Sequence, residues 1–244
     1  MGSSTQAVAA TGVGAAREGA RTPAGEPRLT RKGQATRARI VSAASGLMFE
    51  RGVAGTSTDD VRIAAGVSTS QIYHYFADKS ALVRAVIAHQ TEAVLDAQRP
   101  LLGSLDSMAA LRAWRDLVVQ LQRERNCEGG CPIGSLAGEL AETDPQARDA
   151  LAAGFARWEE GIRSGLRDMR ERGELRPEAD PDRLALAILA GLQGGLLLTQ
   201  TRRETAPLEA VLDAMLDHVE DLLTDRADRA DRADRADRAG SAAR

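Results

Sequence analysis

The sequence predicts an all-α protein, with a head of short helices and a body of long ones. Three observations carry this. Aromatic residues make up only 3% of the 244, while alanine, leucine, arginine, glutamate and aspartate abound, a balance that suits helices better than strands. Apolar residues recur at three- and four-residue intervals between glycine and proline stops. No segment reads convincingly as a strand. A hydrophobic content of 43% is enough for a real core.

Residues 1–27 are rich in Gly, Ala, Ser and Thr without periodicity and read as a disordered extension. RLTRKGQATRAR, residues 28–39, holds Arg28, Arg31, Lys32, Arg37 and Arg39 and no acid. It reads either as a plain solvated arm or as one that follows a phosphate backbone. Ile40, Ala44, Leu47 and Met48 then share one helix face, and Gly52 ends that helix. A short helix follows, with Thr58 as N-cap, Asp59 and Asp60 in its first turn, and Val61, Ala64 and Ala65 as its apolar set. Gly66 closes it, and another helix starts at about Ser68. Two short helices joined through a glycine turn are a helix-turn-helix signal.

The body, residues 88–224, continues in long helical patterns. One helix runs from about Lys79 to Gln98, ahead of Pro100, and a second from about Ser107 to Arg125. After Pro145 one helix carries Leu151, Phe155, Trp158, Ile162 and Leu166 on a face, with Gly173 at its end. Two more are expected at 181–202 and 207–223. The tail, 225–244, contains five DRA triplets, a period that builds no apolar face, and reads as disordered or fraying.

Charge divides the chain. Residues 28–87 carry nine basic and four acidic side chains; residues 88–244 carry 21 basic and 29 acidic. A basic front on an acidic body points the front at a polyanion. No apolar core segment opens the chain, so no secretory leader is expected and the protein reads as cytoplasmic, with reduced thiols. Residues 184–201 are uncharged but short for a membrane span and contain Gln193 and Gln200. They read as a helix buried in a soluble dimer, with no membrane partner.

GVSTSQIYHYFADKSAL, Gly66 to Leu82, gathers both tyrosines, one of three histidines and one of only two lysines. With Ser68 at the N-cap, Ile72 and Phe76 face the core. Thr69, Ser70, Tyr73 and His74 project elsewhere, where short hydroxyls approach DNA closely and Tyr and His bond phosphates or base edges. Gln71 has an amide able to pair with adenine. Asp78 caps the next helix and places Lys79 at its start, where a phosphate would be met by both the ammonium and the helix amides.

TSTDDVRIAAGVSTSQIYHYFADKSALVRAVI, residues 56–87, resembles the helix-turn-helix of the TetR family of transcriptional regulators. The ordered set carries the resemblance: threonine before a short helix, AAGVS at the turn, the aromatic YHYF, then DK-x-x-L. The resemblance implies a homodimer with two DNA-reading heads at residues 28–87 and a helical body that binds a small-molecule effector. Thr58 and Lys79 match phosphate-clamping positions, Tyr73 a backbone-contacting tyrosine, and Thr69, Ser70 and Gln71 the variable base-reading segment, with Ser68 and His74 beside them. Tyr75 is read as core or as a contact. DVRIAAG departs from the family pattern by placing Arg62 at a small position and Ile63 at a polar one. Arg62 is either an added phosphate contact or a solvated side chain passing the core.

The resemblance is less specific beyond residue 90. It implies that the last two helices pair with their mates in a four-helix bundle, for which Leu189 and the Gly191–Gly195 pair are the candidates. Trp114, Phe155 and Trp158 are candidate effector-pocket walls or ordinary core. Cys127 and Cys131, in CEGGC, are half of a zinc site at most, so neither metal nor cofactor is expected. A regulatory thiol pair is the alternative. HExxH, P-loop, dinucleotide and GxSxG patterns are missing from the sequence, so no enzyme is expected. The predicted function is a ligand-responsive repressor on a near-palindromic operator. The remaining alternative is a helical dimer without sequence-specific DNA binding.

Overall fold

The computed structural model describes residues 29–99 and 101–224; the expectations for the N-terminal extension, Arg28 and the DRA tail fall outside them. Among the described residues the chain forms α1 (Arg31–Arg51), α2 (Thr58–Ala65), α3 (Thr69–Tyr75), α4 (Lys79–Asp96), α5 (Met108–Glu124), α6 (Pro132–Leu140), α7 (Pro145–Glu171), α8 (Pro181–Arg202) and α9 (Ala206–Asp221), with a 3-10 turn at Leu101–Gly103. The one β-type pairing there is a single antiparallel bridge between Leu175 and Leu223.

Local chemistry sets the boundaries. Ser57 and Ser68 each close a capping box, with Asp60 and Gln71 reaching back to their backbone N–H groups. Asp78, Ser107, Asp144 and Asp180 cap α4, α5, α7 and α8. Gly66 ends α2 in the left-handed region, φ 61°, which turns the chain into α3 without Cβ strain.

Three expectations are corrected. The cap of α2 is Ser57, so Thr58 sits one position inside the helix. The basic run is no extended arm: α1 begins at Arg31, capped by Thr30. Within it Arg39 Nε donates to the Ala65 carbonyl at 2.9 Å, capping α2, and the Arg37 guanidinium lies 5.2 Å from the Phe76 ring centre. The third is α6, where no helix was expected. Its start signal was present in Pro132 at the first position, but a nine-residue helix with two glycines has little periodicity to read.

Apolar side chains of head and body form one continuous core cluster. α4 makes this possible, packing on α1 in the head and on α6 and α7 in the body. In the last layer, Leu189 is buried inside its own chain. A β-carbon on Gly191 or Gly195 would stand 2.9 or 2.8 Å from the Val211 methyls. The glycine pair therefore lets α9 close on α8 within one chain. The outward face of α8 instead presents Leu186, Leu197 and Leu198, 56%, 63% and 47% exposed.

Candidate functional site

The head presents one polar face. α3 is only seven residues long, and Ile72 and Phe76 fix it by burial. That turns Ser68, Thr69, Ser70, Gln71, Tyr73 and His74 outward, all exposed. Tyr73 is 58% exposed and lines a shallow groove with Thr58, Asp59, Arg62 and Thr69 between α2 and α3. Tyr75 is half-buried, its ring edge-on to His74. Two groups carry a second duty. Gln71 accepts the Ser68 N–H at 2.9 Å through Oε1. Arg62 pairs with Asp59, Nε to Oδ1 at 2.6 Å, an exposed pair on its own helix.

The turn after α1 is held from two sides. The Val53 carbonyl accepts from Lys79 Nζ at 2.8 Å. The Val53 N–H donates to Glu139 Oε2, also at 2.8 Å. Lys79 opens α4 and Glu139 lies near the end of α6, so the Val53 carbonyl ties the turn to α4 within the head and its N–H ties the turn to the body. An ammonium has three donors; one on Val53 leaves two for an anion at the α4 N-terminus.

The body encloses a cavity with about 80 Å³ of water-accessible space, against the roughly 10–15 Å³ that one water needs. α4, α5, α7 and α8 wall it with Val94, Gln98, Val118, Gln122, Trp158 and Leu196. Gln98, 3% exposed, is its fixed point. Its Oε1 accepts both indole N–H groups, from Trp114 at 2.8 Å and Trp158 at 3.1 Å, while its Nε2 donates to the Val94 carbonyl at 2.9 Å. Two indole donors require the oxygen there, which settles the amide orientation. Of the three expected wall residues, Trp158 lines the cavity, Trp114 stands behind Gln98, and Phe155 packs half-buried on the core. Gln90, on the rim, donates to Ser45 Oγ of α1.

Gln98 and Gln122 are missed from sequence because a glutamine in a helical pattern looks like surface. Only the tertiary neighbours show otherwise: two indole N–H groups at Gln98 and the cavity wall at Gln122.

Cys127 and Cys131 are unpaired and buried. Cys131 caps α6, its Sγ 3.4 Å from the Gly134 nitrogen, and burial pushes its thiol pKa up. That works against the thiolate a redox switch needs. The intervening glycines have structural reasons: both have positive φ, and a β-carbon would meet Phe49 at Gly129 and Gln200 at Gly130.

Comparison with known proteins agrees with this geometry. Residues 40–86 match the family described as bacterial regulatory proteins, tetR family, and residues 107–215 match the tetracyclin repressor-like C-terminal domain. The transcriptional regulator AcuR of Cereibacter sphaeroides is 30% identical over 78% of this chain and 91% of its own. The transcriptional repressor DhaR of a Mycobacterium species is 26% identical over 76% and 95%. A TetR transcriptional regulator from Chloroflexus aurantiacus superposes with a TM-score of 0.69 at 31% identity, covering 80% of this chain and 98% of that one.

Proposed function

The chain belongs to the TetR family of transcriptional regulators, and on that premise we propose that it is a cytoplasmic repressor that binds a near-palindromic operator as a homodimer and leaves it when a small molecule fills the body cavity. The observation that carries this reading is α4. One unbroken helix places Lys79 at the head and Gln90, Val94 and, just past its end, Gln98 on the cavity. Whatever displaces its cavity end moves its DNA end.

Each head offers α3 to the major groove. Thr69, Ser70 and Gln71 meet base edges; Thr58, Tyr73, His74 and the ammonium of Lys79 meet phosphate. Two heads on one dimer read half-sites about one DNA turn apart, roughly 34–36 Å. The effector acts by its differential affinity for two head spacings, and α6 gives a second route, since Cys131 and Pro132 touch the cavity while Glu139 holds Val53.

The test is anisotropy of labelled DNA flanking the chain's own gene, across a salt series. Sequence-specific binding with a steep salt dependence is expected. Equal affinity for random DNA would remove the proposal.

A further inference from the structure

The cavity contains one polar group that the protein leaves unused. Gln122 is 5% exposed and lines the wall, yet its Oε1 has no hydrogen-bond partner among the described residues. Both polar atoms of Gln98, on the same cavity, have partners. An unmet buried amide is costly, so a site that keeps one is prepared for something that completes it. Turning the amide by 180° exchanges its acceptor and donor; a group able both to donate and to accept satisfies either orientation.

Charge narrows the class further. No carboxylate lines the cavity, so a cation would enter without a counter-ion. The only charged lining residue is Arg125, an exposed side chain, so an anion drawn inward would leave its partner behind. The rest of the wall is mostly aliphatic, with the indole of Trp158 and the side chains of Gln90, Gln98 and Cys131, which already have partners inside the protein.

Resting on the effector reading above, we infer that the cavity takes a small uncharged molecule with an apolar or flat body and one hydroxyl or carboxamide group bonded to Gln122. The body lies against Trp158, Val118 and Leu196. Acids, amines and plain hydrocarbons of the same shape are excluded, the first two by desolvation and the third because it leaves Gln122 unmet.

Five probes of nearly one shape test this: benzyl alcohol, benzamide, benzoate, benzylamine and toluene. Binding is read by fluorescence of the chain's two tryptophans and by thermal shift. Benzyl alcohol and benzamide are expected to bind at least tenfold more tightly than the other three. Gln122→Leu, which removes the unmet group and is expected to fold, should reverse the order in favour of toluene. Benzoate or benzylamine binding best, an alcohol preference that survives Gln122→Leu, or no binding by any probe would each overturn the inference; the last would mean that water alone meets Gln122. Operator release is scored separately. Probes that follow the expected order without releasing DNA support the ligand class and overturn the effector reading instead.

Discussion

Glu139 holds the backbone N–H of Val53 at 2.8 Å across 86 residues of sequence. The contact joins the end of α6 to the turn that leads into α2, and it is charge-assisted. Such bonds contribute about 1.5–3 kcal/mol. Glu139→Ala is therefore expected to lower the melting temperature by several degrees and to weaken effector-free operator binding, with Glu139→Gln between it and the parent. Calorimetry and DNA anisotropy check both. An unchanged melting temperature and affinity in Glu139→Ala would mean that the turn needs no support from the body.

Lys79 grips the other side of Val53. Held there, its ammonium is presented at the N-terminus of α4 instead of sampling solvent. Lys79→Ala should weaken binding to all DNA sequences and reduce the salt slope by about one. Lys79→Arg tests why this chain, with only two lysines, keeps one here. A planar guanidinium cannot direct one donor at Val53 and others at phosphate in the same way, so a partial loss is expected. A lower melting temperature with an unaltered salt slope would reduce Lys79 to a tether.

Gln71 both caps α3 and faces outward. Gln71→Ala removes both roles, costing stability by about 0.5–2 kcal/mol if it behaves like other cap losses. Gln71→Glu keeps the acceptor for the Ser68 N–H and loses the donor side of the amide. It should retain its melting temperature while changing operator preference, as measured by selection from a randomised site library. Unchanged preference in Gln71→Glu would place base reading on Thr69 and Ser70.

How legible these features are follows from their range. The head can be read from its sequence because each boundary is a local event: Gly66 turns the chain, and Ser68, Gln71 and Asp78 cap within three residues. The inward direction of Ile72 and Phe76 follows from four-residue spacing. The cavity cannot be read this way, because Gln98 meets Trp158 across 60 residues and Glu139 meets Val53 across 86. Gly191 and Gly195 are a middle case. Their spacing correctly indicates a close helix approach, but spacing does not say whether the neighbour is α9 of the same chain or a partner.

Acid should loosen the fold at identifiable points. The Asp60 carboxyl is held below its usual range by the hydroxyl and backbone N–H of Ser57, Glu92 by Arg157, and Glu209 by Thr205, then by Arg123 and Arg115. A depressed carboxylate pKa contributes stability above the unfolded value, and that contribution is lost as pH falls through the folded one. Stability is thus expected to be flat for these groups from pH 7 to about 5 and to decline below about 4. Melting curves between pH 7 and 3 should show a shallower acid limb in the Asp60→Asn, Glu209→Gln double variant. Parallel limbs would assign the acid loss to other groups.

The outward face of α8 makes the last prediction. Leu186, Leu197 and Leu198 stand exposed on it, with the exposed small residues Ala190 and Gly194 between them and no charged side chain from 184 to 201. Burying a leucine side chain stabilises by about 1.5–3 kcal/mol, so three on one uncharged face, beside an α9 drawn close by Gly191 and Gly195, form a flat two-helix layer suited to a second copy. Leu197→Glu would place a carboxylate in the middle of that layer without touching the core of its own chain. The expected outcome is a folded monomer by sedimentation, with helical circular dichroism intact and operator affinity sharply reduced, because each head would then bind its half-site alone. Effector-probe binding should persist, since Leu196, buried, lines the cavity and Leu197, exposed, does not. A Leu197→Glu protein that remains dimeric and binds operator at full strength would place the interface elsewhere.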